Sequence, residues 1–266
     1  MRKVPVSCFI ISKNEADRIA RTIRSVRPWV DEVVVVDSES SDDTVSVALA
    51  EGARVMTQPW LGFGGQKRFA EDQCRNNWVF NLDADEVVVP ELAREMVALF
   101  ANGDPKLVAY GMPLQMVYPG SEKPRPLARD NWYIRLYDRR FVRFRNSNVH
   151  DAVVTEGYSV GRLNAPIHHF SMRSFADMKR KLDERMWLQV ENTDPQIFGT
   201  VGPRLLSEFP MNFFKYYLVR RHFTGGFTGL RYALIQARFR FLKIYRIWRT
   251  GNDKSKSEGP AVSAVR

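Results

Sequence analysis

The chain has 266 residues, 44% of them hydrophobic and 26% charged, with a formal net charge of +10. That length suits one large α/β domain or one domain with an appended arm, and the hydrophobic share implies a packed core and excludes a disordered chain. The basic surplus favours partners that carry phosphate (nucleic acid, anionic lipid or a phosphorylated substrate) without choosing among them.

Val4 to Ile11 is a near-continuous apolar run with β-branched members, as a buried parallel strand requires. It is too short for a signal peptide, and nowhere do about 18 consecutive apolar residues offer a spanning helix, so a soluble or peripheral protein is expected. Cys8 reads as a small core residue. With Cys74 it makes neither a disulfide framework nor a zinc site, which points to a reducing, cytosolic compartment. Asn14 then caps a helix, with Asp17 three residues on. Ile19, Ile23 and Val26 follow at helical spacing. Val33 to Val36 predicts a second buried strand ending at Asp37. Ser41 caps the next helix and Gly52 ends it. Arg54 to Thr57 is a third short strand. Gly62, Gly64 and Gly65 read as a mobile loop that lets Gln66 and Lys67 approach a ligand, before a helix reaching about Arg75. They match neither common phosphate-loop fingerprint. Trp78 to Leu82 is a fourth strand, followed at once by Asp83, Ala84, Asp85 and Glu86, and Pro90 opens the next helix.

This alternation implies a doubly wound, mostly parallel sheet, in which ligands sit beyond the carboxyl ends of the strands. Glu15, Asp37 and the Asp83–Asp85 pair each follow a predicted strand, so three acidic groups distant in sequence should share one edge.

From about Leu107 the rhythm changes. Leu107 to Val117, Tyr133 to Asp138, Val149 to Thr155 and Gly161 to Phe170 read as strands. Ser174 and Asp177 cap a helix reaching about Val190, and helices follow over about 205–222 and 227–248. The Ser-, Gly- and Lys-rich stretch 251–266 is expected to be disordered. The domains expected are a catalytic domain over 1–203 (donor half to about 105, acceptor half from about 106), a basic aromatic helical arm over 204–250, and the tail.

Asp83 and Asp85 carry the sharpest chemistry. Hard divalent cations such as Mg²⁺ or Mn²⁺ take one or two carboxylates plus substrate phosphates, and a cation so held neutralises a diphosphate leaving group. The ordinary alternative is a solvated loop, in which Asp-x-Asp is frequent. Asp37 can accept hydrogen bonds from a ribose or a base, or be a turn residue. Trp132, Tyr133 and Arg135 could line a sugar-phosphate pocket, or form the core and rim of a sheet. His168 and His169 lie in an apolar context that fits packed, hydrogen-bonded histidines. Between Arg204 and Arg249 ten basic residues face one acid, Glu208, with aromatics interleaved. That composition suits an anionic membrane interface, or a packed helix with a solvated basic face. In the last helix Leu230, Leu234, Ala237, Phe241, Ile244 and Trp248 recur at spacings of three or four and can share a face, with Arg238, Arg246 and Arg249 beside it to reach lipid phosphates.

The ordered set Ile11 to Glu15, Val35 to Thr44, Gly62 to Lys67 and Leu82 to Glu86 resembles the family 2 glycosyltransferases over about the first 100 residues. Trp132 to Leu136, Val149 to Asp151 and Ile167 to Phe170 resemble the narrower branch that includes the lipopolysaccharide core β-glucosyltransferases. The resemblance implies a GT-A fold: α/β, a doubly wound, mostly parallel sheet with a mixed-strand acceptor half, here extended by the helical arm. It also implies an inverting, metal-dependent hexosyltransferase. Glu15 and Asp37 would contact the nucleoside and Lys67 the donor. Asp83 and Asp85 would serve the cation and diphosphate, with Asp85 the direct ligand. Trp132, Tyr133, Arg135 and His150 would lie on the acceptor side. An inverting transfer needs a carboxylate to take the acceptor proton, and Asp151 is the candidate. The branch usually has Glu after the His150 position; Asp151 keeps the carboxylate with a shorter reach. The partners implied are a nucleotide-sugar donor, UDP-linked above all, and a saccharide acceptor, lipid-linked as in a lipopolysaccharide core. No nucleic acid is expected, and the place implied is the cytoplasmic face of the inner membrane.

Two other classes fit part of the pattern. A metal-dependent nucleotidyltransferase would also use paired aspartates but would release pyrophosphate. A basic nucleic-acid-binding protein would leave the acidic strand ends unexplained, and no helix-turn-helix, zinc-finger or RNA-recognition signature is present.

Overall fold

The computed structural model describes residues 2–128, 131–147, 152–191 and 202–257. They form two compact units: 1–117 with 130–171, and 118–129 with 172–266. The expected domain boundary at 203/204 falls inside the second unit.

The first unit is built on one sheet. Strands β1 (Val4–Ser12), β2 (Val30–Asp37), β3 (Arg54–Thr57), β4 (Trp78–Asp83), β5 (Glu86–Val88), β6 (Ala109–Met116), β7 (Asn131–Asp138) and β11 (Ile167–His169) stand in the order β3-β2-β1-β4-β7-β6-β11-β5. β10 (Val160–Arg162) pairs with β6. The four strands β3, β2, β1 and β4 are mutually parallel, whereas β7 runs antiparallel to both β4 and β6. Short strands β8 (Arg143–Phe144) and β9 (Val153–Val154) form a separate antiparallel pair.

The continuous apolar runs follow from burial on both faces. Val6, Cys8 and Ile10 of β1 join one core with Ile19 and Ile23 of helix α1 (Ile19–Val26), Ala48 of α2 (Thr44–Ala50) and Leu92 and Met96 of α4 (Pro90–Leu99). Phe9 of the same strand faces the other way, onto Ala70 of α3 (Phe63–Gln73), Cys74 and Phe144. Alternate side chains serve opposite layers, so from Val6 to Ile10 a polar side chain is placed only where a partner waits. Ser7 is such a case, donating to Glu32 Oε2 at 2.6 Å.

Several local expectations change. Asn14 does not cap α1, which begins only at Ile19; it adopts a positive φ and its Oδ1 accepts from Ser41 N at 2.9 Å. Residue Asp43, not Ser41, precedes α2. The glycine loop is not a loop: Gly64 and Gly65 lie inside α3, whose Gln66 and Lys67 are fully buried. Gly64 is required because a Cβ there would lie 2.2 Å from Arg145 O and 2.7 Å from Ser147 N, and its own N–H donates to Ser147 O. The expected strand from Gly161 to Phe170 is split into β10 and β11, and β5 and β8 were not foreseen.

The second unit contains α5 (Phe175–Glu191), α6 (Leu205–Phe214) and α7 (Gly226–Ser257). The Asp177 N–H donates to Ser174 Oγ at 3.0 Å, so the expected cap of α5 is present. The single helix expected over 205–222 is interrupted by a π-turn at Lys215–Val219 and a 3₁₀ turn at His222–Gly225. Helix α7 runs on to Ser257, into the stretch expected to be disordered; residues 258–266 lie outside the described residues. The α7 stripe is divided: Leu234 is exposed, whereas three of its six positions pack within the unit. Ala237 and Ile244 are buried, and Trp248 packs on the cluster of Ile244, Ile247, Met186 and Val190. A second cluster joins Tyr118, His222 and Tyr232. The His222 ring stacks on Tyr232 at 4.4 Å and its Nδ1 is hydrogen-bonded to the Tyr118 hydroxyl.

Candidate active site

The carboxyl ends of β1, β2 and β4 meet. Ser12 pairs in register with Asp37, and its neighbour Ile11 with Asp83, so parallel register alone brings two of the three acidic positions to one edge. Asp37 is buried and held by donors: Ser12 Oγ at 3.0 Å, Ser40 Oγ at 2.6 Å and Ser40 N at 2.8 Å. A carboxylate fixed this way presents its remaining acceptor capacity in one direction, as recognition of a hydroxyl or base edge needs. Glu15, in the turn after β1, is ion-paired with Arg18, and its N–H donates to Thr44 Oγ1 at 2.8 Å.

Arg18 links this turn to the Asp83–Asp85 segment. Its NH1 lies 3.3 Å from Asp85 Oδ2 and donates to Phe170 O at 3.0 Å. The other Asp85 oxygen, Oδ1, lies 3.4 Å from His169 Nε2. Topology makes this contact. β11 runs antiparallel to β5 with His169 opposite Glu86, and Phe170 N donates to Asp85 O at 2.9 Å. Burial works against ionisation at Asp85, but the hydrogen bond and charge of His169, then the charge of Arg18, outweigh it and hold the carboxyl below its ordinary value. Burial likewise opposes charge on His169, and Asp85 overrides it and raises the imidazole.

Asp83 has different partners. Its Oδ1 is 3.0 Å from Lys67 Nζ and its Oδ2 is 3.4 Å from Arg135 NH2. Burial would raise this carboxyl; Lys67 and then Arg135 overcome it and keep it well below the carboxylate range. Lys67 reaches Asp83 from α3, its ammonium 5.2 Å from the Phe144 ring centroid. Arg135 also pairs with the fully buried Glu86 and donates to Asn81 Oδ1 at 2.6 Å. Burial, resisted by Arg135 and aided by the adjacent Asp83, pushes Glu86 up to about 7.

The two aspartates therefore differ. Asp83 is held between two cations of the protein. Asp85 shares one oxygen with an imidazole, and a carboxylate oxygen beside a nitrogen is a donor pair suited to a divalent cation. Among the described residues no set of three or more such side chains converges; a cation held by this pair would take its remaining ligands from elsewhere, substrate phosphate and water among them.

The sequence-derived candidates sort as follows. Glu15, Asp37, Lys67, Asp83 and Asp85 come to one edge of the sheet. Arg135, expected on the acceptor side, is buried and paired with both Asp83 and Glu86, because β7 pairs with β4. Trp132 and Tyr133 on the same strand are about half exposed, with Arg162 over the Trp132 ring and Arg135 over that of Tyr133. His150 and Asp151 lie outside the described residues. Sequence reasoning missed Arg18, Glu86 and the role of His169. The Glu15–Arg18 spacing of three was a readable signal for the first; the other two lie in segments that carry the resemblance, Leu82 to Glu86 and Ile167 to Phe170, but nothing in either segment shows that they meet.

Comparison with known proteins gives a consistent picture. The sequence profile described as "Glycosyl transferase family 2" matches residues 7–162. An uncharacterised glycosyltransferase of Rickettsia felis is 40% identical over 251 residues, covering 91% of this chain and 89% of that one. The lipopolysaccharide core biosynthesis glycosyltransferase LpsC of Rhizobium meliloti is 29% identical over 265 residues, covering 92% and 93%. Among solved structures, glucosyl-3-phosphoglycerate synthase from Mycobacterium tuberculosis, in complex with Mn²⁺, UDP and glucosyl-3-phosphoglycerate, superimposes with a TM-score of 0.41 at 18% identity, covering 67% of this chain and 78% of that one.

Proposed function

Because the chain belongs to glycosyl transferase family 2 and has an α/β fold of the GT-A type, we propose that it is an inverting hexosyltransferase that uses a UDP-sugar, UDP-glucose first among them, and a lipid-linked saccharide acceptor such as a lipopolysaccharide core at the cytoplasmic face of the inner membrane. The observation that carries the donor half of this reading is the pairing of Asp85 Oδ1 with His169 Nε2 at the strand edge that also holds Asp37. The acceptor half rests on the likeness to LpsC over nearly the whole chain.

Asp85 and His169 would hold a divalent cation, Mg²⁺ or Mn²⁺, which supplies positive charge to the diphosphate. Asp37 and Glu15 take the nucleoside end. Asp37 is pre-set by Ser12 and Ser40, so accepting a ligand hydroxyl costs little reorganisation. Lys67 and Arg135 keep Asp83 ionised, and so keep the turn that carries Asp85 in one geometry. Trp132 and Tyr133 offer half-exposed rings on which a sugar face can lie. Asp151 takes the proton of the acceptor hydroxyl as its oxygen bonds to the anomeric carbon. The bond from that carbon to the diphosphate oxygen breaks, and nucleoside diphosphate leaves.

The test is a panel of nucleotide sugars with Mg²⁺ or Mn²⁺, scored for nucleoside diphosphate release with and without delipidated or intact lipopolysaccharide acceptor. UDP release dependent on cation and acceptor is expected. Pyrophosphate release would mean nucleotidyl transfer instead.

A further inference from the structure

Helix α6 is inside out with respect to water. Two of its three polar residues, Glu208 and Asn212, are buried, and so is Tyr216 one turn further on; the third, Ser207, is half-buried and donates to Arg204 O at 3.3 Å. The Glu208 carboxylate is used inward, accepting from Asn212 Nδ2 at 3.1 Å and pairing with Arg204 at 3.3 Å. Its outward half is apolar: Leu206 is 90% exposed, Met211 61% and Phe214 58%, and Leu218 continues the face. Beside them Phe213 stacks on Tyr217 at 5.3 Å, and Tyr217 meets Phe223 at 6.3 Å, so the surface carries aromatic rings onto the next turn. A helix in water places its polar residues outward; this one gives up that arrangement over more than two turns.

From this inversion we infer that the outward face of α6 is a membrane-docking surface for anionic lipid. The charges at its rim select the occupant. Lys215, Arg220 and Arg221 are exposed around the apolar face, and Glu208, the only acid between Arg204 and Arg249, is buried. Lipid phosphates complement that rim, whereas a two-fold contact with a second copy would set like charges against each other. No described helix is long and apolar enough to cross a membrane, so the contact is interfacial. The surface differs from the α7 stripe that sequence periodicity favours, because α7 uses much of its apolar stripe within the unit. The inference sharpens the membrane setting of the proposed function, but α6 takes no part in the transfer chemistry.

The experiment is co-sedimentation of the full chain with phosphatidylcholine vesicles, with and without phosphatidylglycerol, at low and physiological salt. The native chain is expected to bind the anionic vesicles more tightly, with salt reducing the difference. L206Q/F214Q should weaken binding to both vesicle types by about tenfold or more, since two exposed apolar side chains no longer insert. K215E/R220E should remove the preference for phosphatidylglycerol. M211Q/L218Q is a second apolar pair should the first fold poorly, judged by circular dichroism. UDP binding in the presence of Mn²⁺ should be native in all of them; its failure in the native chain would count against the proposed function and not against this surface. Absence of binding to anionic vesicles at low salt, or binding unchanged by both apolar pairs, overturns the inference. So does a concentration-dependent dimer, seen by light scattering, that L206Q/F214Q converts to monomer while vesicle binding is absent; the face would then belong to a second copy.

Discussion

His169 Nε2 stands 3.4 Å from Asp85 Oδ1 because β11 returns antiparallel to β5, the short strand that begins one residue after Asp85. If that pair holds the cation, His169→Ala and Asp85→Asn should each abolish the rise in melting temperature that Mn²⁺ plus UDP gives the native chain. Linkage sets the scale: ligand at 100 times its Kd stabilises by about 2.7 kcal/mol. Transfer should fall with binding in both variants and in native protein treated with chelator. Full activity in excess chelator would remove the cation from the mechanism.

Asp151→Asn should behave differently. Removing a positioned general base typically costs about 10² to 10⁴ in rate. The expected result is a large loss of kcat with the donor KM little changed, measured by UDP release. Turnover within a few-fold of native would assign the base to another carboxylate.

Lys67 is fully buried with its ammonium on Asp83. Lys67→Met leaves Asp83 with one cation where it had two. Breaking a buried pair costs several kcal/mol, but the Asp83 side chain keeps 34% of its surface in solvent, so a loss of about 1–3 kcal/mol is expected. Urea denaturation would read it. Adding Asp83→Asn should recover part of the stability while leaving activity low.

Gly64→Ala sets two effects against each other. Alanine gains about 1 kcal/mol of helix propensity over glycine. A Cβ placed 2.2 Å from Arg145 O meets backbone, which cannot rotate away, and overpacking costs about 1–3 kcal/mol. Net destabilisation is therefore expected, with a lower denaturation midpoint. A more stable variant would show that residues 145–147 shift without cost.

His222 gives a pH test in the second unit. Burial first, then the nearby Arg125 and Arg220, push it down to about 3. The folded state thus stays neutral where the unfolded chain, titrating near 6.5, takes a proton. Between those values the unfolded state binds more protons, so stability falls as pH falls, with a slope approaching about 1.4 kcal/mol per pH unit. Glu86, raised to about 7, acts in the opposite sense over much of this range but is common to both chains, so the check is their difference: the stability of the native chain relative to His222→Asn should fall with this slope from about pH 6 to pH 4.

The sequence by itself determined the first half of the sheet and the edge that bears the site. Four successive β-branched residues, Val33 to Val36, in so short a run favour a buried strand, and parallel strands followed by helices end at one edge, so Asp37 and Asp83 were legible as sharing it. It also determined the start of α4 at Pro90 and the Ser174 cap, because both depend on backbone donors within one turn. Tertiary structure alone decided the rest. Gly64 reads as flexible in isolation, yet it is glycine because another chain segment touches its backbone. Arg135 pairs with Asp83 because a late strand pairs with β4. Which apolar face of the C-terminal helices packs and which stays outside cannot be read from periodicity, which reports that a helix has two faces and not what lies against each. The partner of Asp85 was decided the same way: β11 must first cross the sheet to lie against β5, and no spacing within either segment encodes that encounter.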